Sequence, residues 1–354
     1  MPVRIVQVVP NISRGDAVSN NCLAIEGILK EAGYDAEIRS LILPDNKDLK
    51  KLVRPLSGLR RLKADDIMLY HMATALQTDL TRWGGRIIFQ YHNITPPEFF
   101  QPYDHAVAEA CRAGLSEMKS LRNTPEACWA DSEFNKKDLT DAGYICPIHT
   151  VPILVPFEDY EQPADRQIIE TCRDDHVNFL FVGRIVPNKA QEDVIRAFAW
   201  YQKNINGKCR LFLIGNTSLN VYRNRLQEYI ELLDIRNVIM PGHIRFSEIL
   251  AYYQAADVFL SMSRHEGFCV PLLEAMFFGI PIVARNTSAI PYTLGDAGLL
   301  LEDNNPAVAA LAADRVLHDR KLKEEIIRRQ DARLADFSHE KVKERILKEL
   351  KDFE

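Results

Sequence analysis

Asn178-Phe-Leu-Phe-Val-Gly-Arg-Ile-Val-Pro-Asn-Lys189 is the stretch on which the reading of the fold turns. A short apolar run, Val177–Val182, stops at Gly183, and a helical pattern over Ala190–Lys203 follows Lys189. A continuous apolar run of this length, bounded by a turn residue and a helix, reads as a strand covered on both faces. The same unit recurs downstream. Runs at Arg210–Ile214, Asn237–Met240, Val258–Ser261, Ile280–Ala284 and Gly298–Leu301 alternate with helices expected at Asn220–Leu233, Phe246–Ala255 and Pro271–Phe278. Upstream, runs lie at Val3–Val9, Ala36–Ile38, Ile67–Tyr70, Ile87–Tyr91, Ala127–Ala130 and His149–Ile153. A helix over Val18–Ala32, closed by Gly33, sits between the first two.

Strands alternating with helices predict parallel sheets. The fold class expected is α/β, with two doubly wound Rossmann-like domains facing across a cleft. The length of 354 residues fits two cores better than one. The charged, Pro-containing stretch Val155–Asp175 is the join. The expected division is residues 1–160, residues 161–338, and a terminal helix, residues 339–354, packing back across the join. A net charge of −5 gives no reason to expect a nucleic-acid partner. Seven dispersed Cys without a C-x-x-C pair read as reduced thiols. The first residues run straight into a strand pattern with no leader before it, and no 18-residue apolar run exists. The expected compartment is the cytoplasm.

Two segments carry the chemistry. Arg184 ends the strand that Gly183 closes, and Lys189 lies five residues on, at the mouth of the next helix. Two cations there suit a diphosphate and its charge on departure; two solvated surface cations are the plainer reading. The second segment is Ser263-Arg-His-Glu-Gly-Phe-Cys-Val-Pro-Leu-Leu-Glu274. Glu266 precedes a helix start and Glu274 lies inside the helix, eight residues on. Backbone N–H groups over Gly267, Phe268, Cys269 and Val270 suit an anion. A carboxylate one turn further in suits a diol, and Glu266 on the loop suits sugar hydroxyls. The plainer alternative is a helix-start charge plus one exposed helix Glu.

Gly183-Arg184 with Lys189, followed by Glu266-Gly-Phe-x-x-Pro-Leu-Leu-Glu274-Ala-Met-x-x-Gly-x-Pro-Ile-Val-Ala284, resembles the retaining glycosyltransferase family 4 of GT-B fold. Weaker likenesses, at Val238–Ile244 and Asp131–Leu139, extend it over nearly the whole chain. The resemblance implies that Arg184 and Lys189 bind the donor diphosphate, Glu274 holds the ribose, and Glu266 contacts the transferred sugar. It implies that the Gly267–Val270 backbone binds sugar and phosphate, and that Gly242, His243 and Ile244 face the base. Glu266, Arg184, Lys189 and His92 are the catalytic candidates. Two positions depart from the pattern: Cys269 and Ala190 stand where many members have Gly.

In the first half, Gly15 and Asp16 open a helix; Asp16 reads equally as an acceptor contact or as the helix cap. His71 and His92 end strands, either as buried rings or as contacts to the donor sugar. Asn93 and Glu98 are acceptor-side neighbours. Lys47–Lys63 carries seven cations and one acid interleaved with Leu and Val. It reads either as a solvated helix face or as a contact to the inner face of an anionic membrane.

The reaction implied is retaining transfer of a sugar from a nucleoside-diphosphate sugar to a hydroxyl of a saccharide or lipid-linked saccharide. It serves cell-surface, exopolysaccharide or glycoconjugate synthesis. No cofactor is expected, and no metal, since Asp-x-Asp is absent. Two rivals are a silent sugar-nucleotide-binding subunit and a nicotinamide-dependent dehydrogenase. G-x-G-x-x-G is missing after the first strand, which counts against the latter.

Overall fold

The computed structural model describes residues 3–13 and 15–353. The chain forms two compact units. The first takes the residues up to Gln101, His105–Val155 and those from Asp336 on; the second takes Pro102–Asp104 and Pro156–Ala335.

The first unit is a seven-stranded parallel sheet: β1 (Arg4–Asn11), β2 (Asp35–Ile42), β3 (Val53–Pro55), β4 (Ile67–Met72), β5 (Arg86–Tyr91), β6 (Ala127–Ala130) and β7 (Ile148–Thr150). Their order is β3-β2-β1-β4-β5-β6-β7. The winding reverses between β1 and β4, so the crevice at their carboxyl ends is the switch point. Apolar residues line both faces. Val6, Tyr70 and Phe89 are buried on one side, and Ile5, Leu69, Ile88 and Trp129 on the other. The helix His339–Phe353 covers the second face. Its Val342, Ile346 and Leu350 recur at four-residue spacing and are buried. Each such side chain contributes about 1.5–3 kcal/mol over exposure.

The helix Ala17–Glu31 starts where Asp16 accepts from the Ser19 backbone N–H at 3.0 Å. It stops at Gly33, whose φ of 91° turns the chain so that the Tyr34 N–H reaches the Leu29 carbonyl at 3.0 Å. The stretch Lys47–Lys63 is not one amphipathic helix. Its helix ends at Leu52 and the chain continues into the edge strand β3. Leu49, Leu56, Leu59 and Leu62 point into the core, while the cations from Lys47 to Lys63 are solvated. No helix among the described residues is long and apolar enough to cross a membrane.

The second unit is a six-stranded parallel sheet: β8 (Val177–Val182), β9 (Cys209–Ile214), β10 (Val238–Ile239), β11 (Val258–Ser261), β12 (Ile282–Arg285) and β13 (Leu299–Leu301). The order β10-β9-β8-β11-β12-β13 puts its switch point between β8 and β11. Its core is aromatic around β8, where Phe179 meets Phe198 and Tyr201 edge-on at 5.6 and 4.8 Å. The run expected over Asn237–Met240 contributes only two strand residues, because Asn237 sits at φ 61° and Pro241 lacks an N–H.

Candidate functional site

The loops after β8 and β11 border the second switch point and hold most of the expected donor-side residues. Gly183 leaves β8 at φ 153°, and Gly215 leaves β9 at φ 155°. A Cβ on Gly215 would stand 1.9 Å from the Gly183 carbonyl oxygen, so only glycine lets these loops cross. Arg184 follows, with an exposed side chain. Its carbonyl accepts from the Gln191 amide at 2.9 Å, which fixes its backbone and leaves the guanidinium to solvent. Lys189 closes a short turn, and its ammonium pairs with Glu266 at 2.5 Å. Both partners are mostly withdrawn from water.

Asn188 stitches the two loops together. Its carbonyl accepts from the Arg264 and His265 N–H groups at 2.8 and 3.2 Å. Its side-chain amide donates to the His265 carbonyl at 3.1 Å. The Glu266 N–H donates to the Ser288 hydroxyl at 2.8 Å, which holds the loop from the other side. Burial, with Lys189 nearby, lowers the His265 pKa to about 4, so this ring is neutral beside the Lys189–Glu266 pair.

Both departures from the glycine pattern fall on left-handed backbone. Ala190 has φ 50°, ψ 48° and caps the helix Gln191–Asn204. Cys269 has φ 73°, ψ 61° and caps the helix Val270–Phe277. The loops thus keep the path that glycine would take, at the cost of Cβ crowding. Burial and the facing Glu266 carboxylate push the Cys269 thiol up, so it stays protonated.

Glu274 lies on the second turn of its helix and is half-buried. Its Oε1 accepts from the Tyr160 hydroxyl at 2.8 Å and its Oε2 accepts from Tyr253. Burial raises its pKa, and the two hydroxyls oppose that rise. Gly242, His243 and Ile244 form the loop after β10, with Gly242 at φ 80° and His243 exposed. A cavity of about 650 Å³ borders the helix Gln191–Asn204 and the β11 loop, lined by Tyr103, Glu192, Arg196, Tyr222, Arg225 and Arg264. Its size is that of ordinary ligand pockets. Two of its arginines are paired with acids: Arg264 meets Asp193 at 2.9 Å and Glu192 at 3.2 Å, and Arg196 pairs with Asp193.

The strand-end residues of the first unit are arranged otherwise. Asp16 is the helix cap, bonded also to the Ser19 hydroxyl at 2.9 Å. Gly15 beside it has φ 77°. His71 and His92 are buried in a polar chain across four neighbouring strands. The Gln7 amide donates to the Cys22 carbonyl at 3.0 Å, so its oxygen faces His71 Nε2 at 2.9 Å and accepts. Burial and His92 depress the His71 pKa, so His71 is neutral and its Nδ1 accepts from His92 Nε2 at 2.9 Å. His92 Nδ1 then faces Asp131 Oδ2 at 2.8 Å, and one proton must lie between them. All four ring nitrogens are thereby engaged inside the unit. Asn93, at φ 74°, donates to Asn135 and Asp138, each at 3.0 Å. Glu98 is exposed on a short turn, Pro97–Phe99.

Sequence reading missed Asn188, Gly215, Gln7, Tyr160 and Tyr253, and named Asp131 only as the start of the segment Asp131–Leu139. Only Gln7 left a signal: a polar residue inside the run Ile5–Val9 must find a partner when buried. No group of three or more His, Cys, Asp or Glu side chains among the described residues is placed to hold a metal.

Residues 165–333 match the family described as glycosyl transferases group 1. The chain is 30% identical over 259 residues to an uncharacterized glycosyltransferase of Methanocaldococcus jannaschii, covering 71% of this chain and 60% of that protein. It is 30% identical over 167 residues to an O-antigen chain mannosyltransferase B of Escherichia coli, covering 46% of this chain and 42% of that one. The chain thus spans about half the length of the curated relatives it matches. Anabaena HepE, solved in complex with UDP-glucose, superposes with a TM-score of 0.75 at 17% identity, covering 98% of this chain and 99% of that one. The fold is GT-B: two Rossmann-like parallel-sheet domains.

Proposed function

We propose that this chain is a retaining glycosyltransferase of family 4 that moves a sugar from a nucleoside-diphosphate sugar to an acceptor hydroxyl without a metal ion. The observation that carries this reading is the solvent-facing Arg184 guanidinium on the same loop as Lys189, whose ammonium pairs with Glu266 from the loop after β11, at the carboxyl ends of the two strands flanking a switch point. The group 1 match over residues 165–333 supports it.

In such a transfer the bond from the anomeric carbon to the diphosphate breaks as the acceptor oxygen approaches. Positive charge grows on the sugar ring and negative charge on the leaving phosphate. Arg184 and Lys189 are aimed at the latter, and the helix start at Val270 adds its dipole. Lys189 is held by Glu266 until a phosphate competes for it. Glu266, so placed, is also the acceptor for hydroxyls of the transferred sugar. Glu274 takes the ribose, and the loop Gly242–Ile244 lies on the base side. The acceptor is a saccharide or lipid-linked saccharide, in glycoconjugate or cell-surface polysaccharide synthesis.

The test is a thermal-shift panel of nucleoside diphosphates and their common sugars, with and without Mg²⁺, followed by turnover with the donor that binds. Ligands of the native state raise the midpoint by mass action. A shift with one base that does not need Mg²⁺, then a product of unchanged anomeric configuration by NMR, is the expected result. Inversion overturns retention, binding without turnover turns the reading to a silent subunit, and no shift with any of them overturns the donor site.

A further inference from the structure

Two tyrosine hydroxyls converge on the half-buried Glu274 carboxylate. Tyr160 comes from the short turn Phe157–Glu161 and Tyr253 from the helix Phe246–Ala255, so Glu274 is reached from two separate elements. Each takes a different oxygen, Oε1 at 2.8 Å for Tyr160 and Oε2 for Tyr253. Their rings are fixed by packing. Tyr160 meets Phe277 at 5.6 Å and Phe246 at 5.9 Å, and Tyr253 stacks on Phe278 at 5.1 Å. The hydroxyls therefore cannot wander, and neither can the carboxylate.

The kind of donor matters as much as its place. An arginine would neutralise the carboxylate and occupy it with a fork of N–H groups. Hydroxyls bring no net charge and take one acceptor site each. A carboxylate has about four lone-pair sites. One donor per oxygen leaves one site free on each oxygen, side by side. Two adjacent acceptors match two adjacent hydroxyls.

We propose that Tyr160 and Tyr253 are positioning residues that fix Glu274 as a two-point acceptor for a vicinal cis-diol, the 2′- and 3′-hydroxyls of a nucleoside diphosphate. This rests on the donor-site reading above. It goes further in making ribose selectivity a property of the tyrosine pair and not of Glu274 alone. The tyrosines do not touch the ligand, so their removal loosens the carboxylate without removing it. Ribose preference then falls while contacts to base and phosphate persist.

The experiment is calorimetric titration of the full chain with UDP, GDP and their 2′-deoxy counterparts. For the ribonucleotide that binds, the wild type should prefer it over the deoxy form by about tenfold or more, one hydrogen bond to a charged group. Tyr160→Phe and Tyr253→Phe should each cut that preference by about threefold or more, with the deoxy affinity nearly unchanged. Full preference retained in both variants overturns the proposal. So does an equal loss of ribo and deoxy affinity, which marks a merely structural role. Should Tyr253→Phe fail to fold, Tyr160→Phe alone decides between these outcomes. A wild type that binds both forms equally overturns the diol assignment while the phosphate site stands. A wild type that binds neither diphosphate overturns the donor-site reading, and the pair's role with it.

Discussion

Polar side chains gather at the carboxyl ends of both sheets, and the two units put them to opposite uses. In the first unit they are spent on one another. Gln7, His71, His92 and Asp131 bond in series, and Asp16 bonds its own helix. In the second unit, the loops are tied through backbone and Asn188; Arg184 is left exposed, while Lys189 and Glu266 pair with each other and are mostly withdrawn from water. One strand end closes its polar groups on themselves; the other leaves one cation, Arg184, facing solvent, where an anionic ligand would find it.

The comparison breaks most visibly at Arg184. Arg184→Ala should lower kcat by about 10²–10³, the effect of losing one group aimed at developing charge. Its melting temperature should stay unchanged, since the exposed side chain has no partner to lose among the described residues. Normal turnover in that variant removes the leaving-group role. The first unit should answer the other way. Asp131→Ala leaves His92 Nδ1 and the Gln90 amide facing a gap, and should cost about 1–3 kcal/mol in urea unfolding. Asp131→Asn should cost almost nothing, because its amide donates to His92 Nδ1 and its oxygen still accepts from Gln90. A large loss in Asp131→Asn would mean that His92 is charged and needs the carboxylate.

A smaller effect lies in acid. Folded His265 stays neutral down to about pH 4, whereas the unfolded chain takes that proton near pH 6.5. Its contribution to stability is complete above pH 6.5 and is lost as pH falls from there toward 4. Wild type should therefore lose ground to His265→Gln across that window, with a slope of about one proton. Parallel urea midpoints from pH 7 to 4 would show that Lys189 and burial do not keep the ring neutral.

The smallest effect is at the two left-handed caps. Ala190→Gly and Cys269→Gly should each stabilise by up to about 0.5–1 kcal/mol, with kcat retained. Destabilisation by Cys269→Gly would mean that the thiol's packing outweighs the backbone strain.

The alternation of strand and helix was legible because strands buried on both faces have no polar phase to confuse. The runs at 127–130, 177–182 and 258–261 have the same bounds in the structure. The edge strand β3 was not, since an edge carries Arg54 and ends in Pro55, which reads as a basic loop. What could be read was what lies close along the chain: Arg184 and Lys189 are five residues apart, and the structure puts both on the loop after β8. The site was illegible where partners are far apart. Tyr160 and Glu274 are separated by 114 residues, and Gln7 and His71 by 64. No local pattern encodes such a meeting; only the strand order brings these residues together.

Gly215 has a consequence for the history of the gene. Its hydrogen stands where any other side chain would strike the Gly183 carbonyl, while nothing lies within 4 Å of a Cβ at Gly242. Two glycines of equal appearance in the text thus differ in liberty. Gly242 can drift, given a residue such as Asn that tolerates its backbone, as the loop is refitted to new ligands. At Gly215 every side chain meets backbone, so the crossing of the β8 and β9 loops constrains sequence change while the rest of the loop can vary.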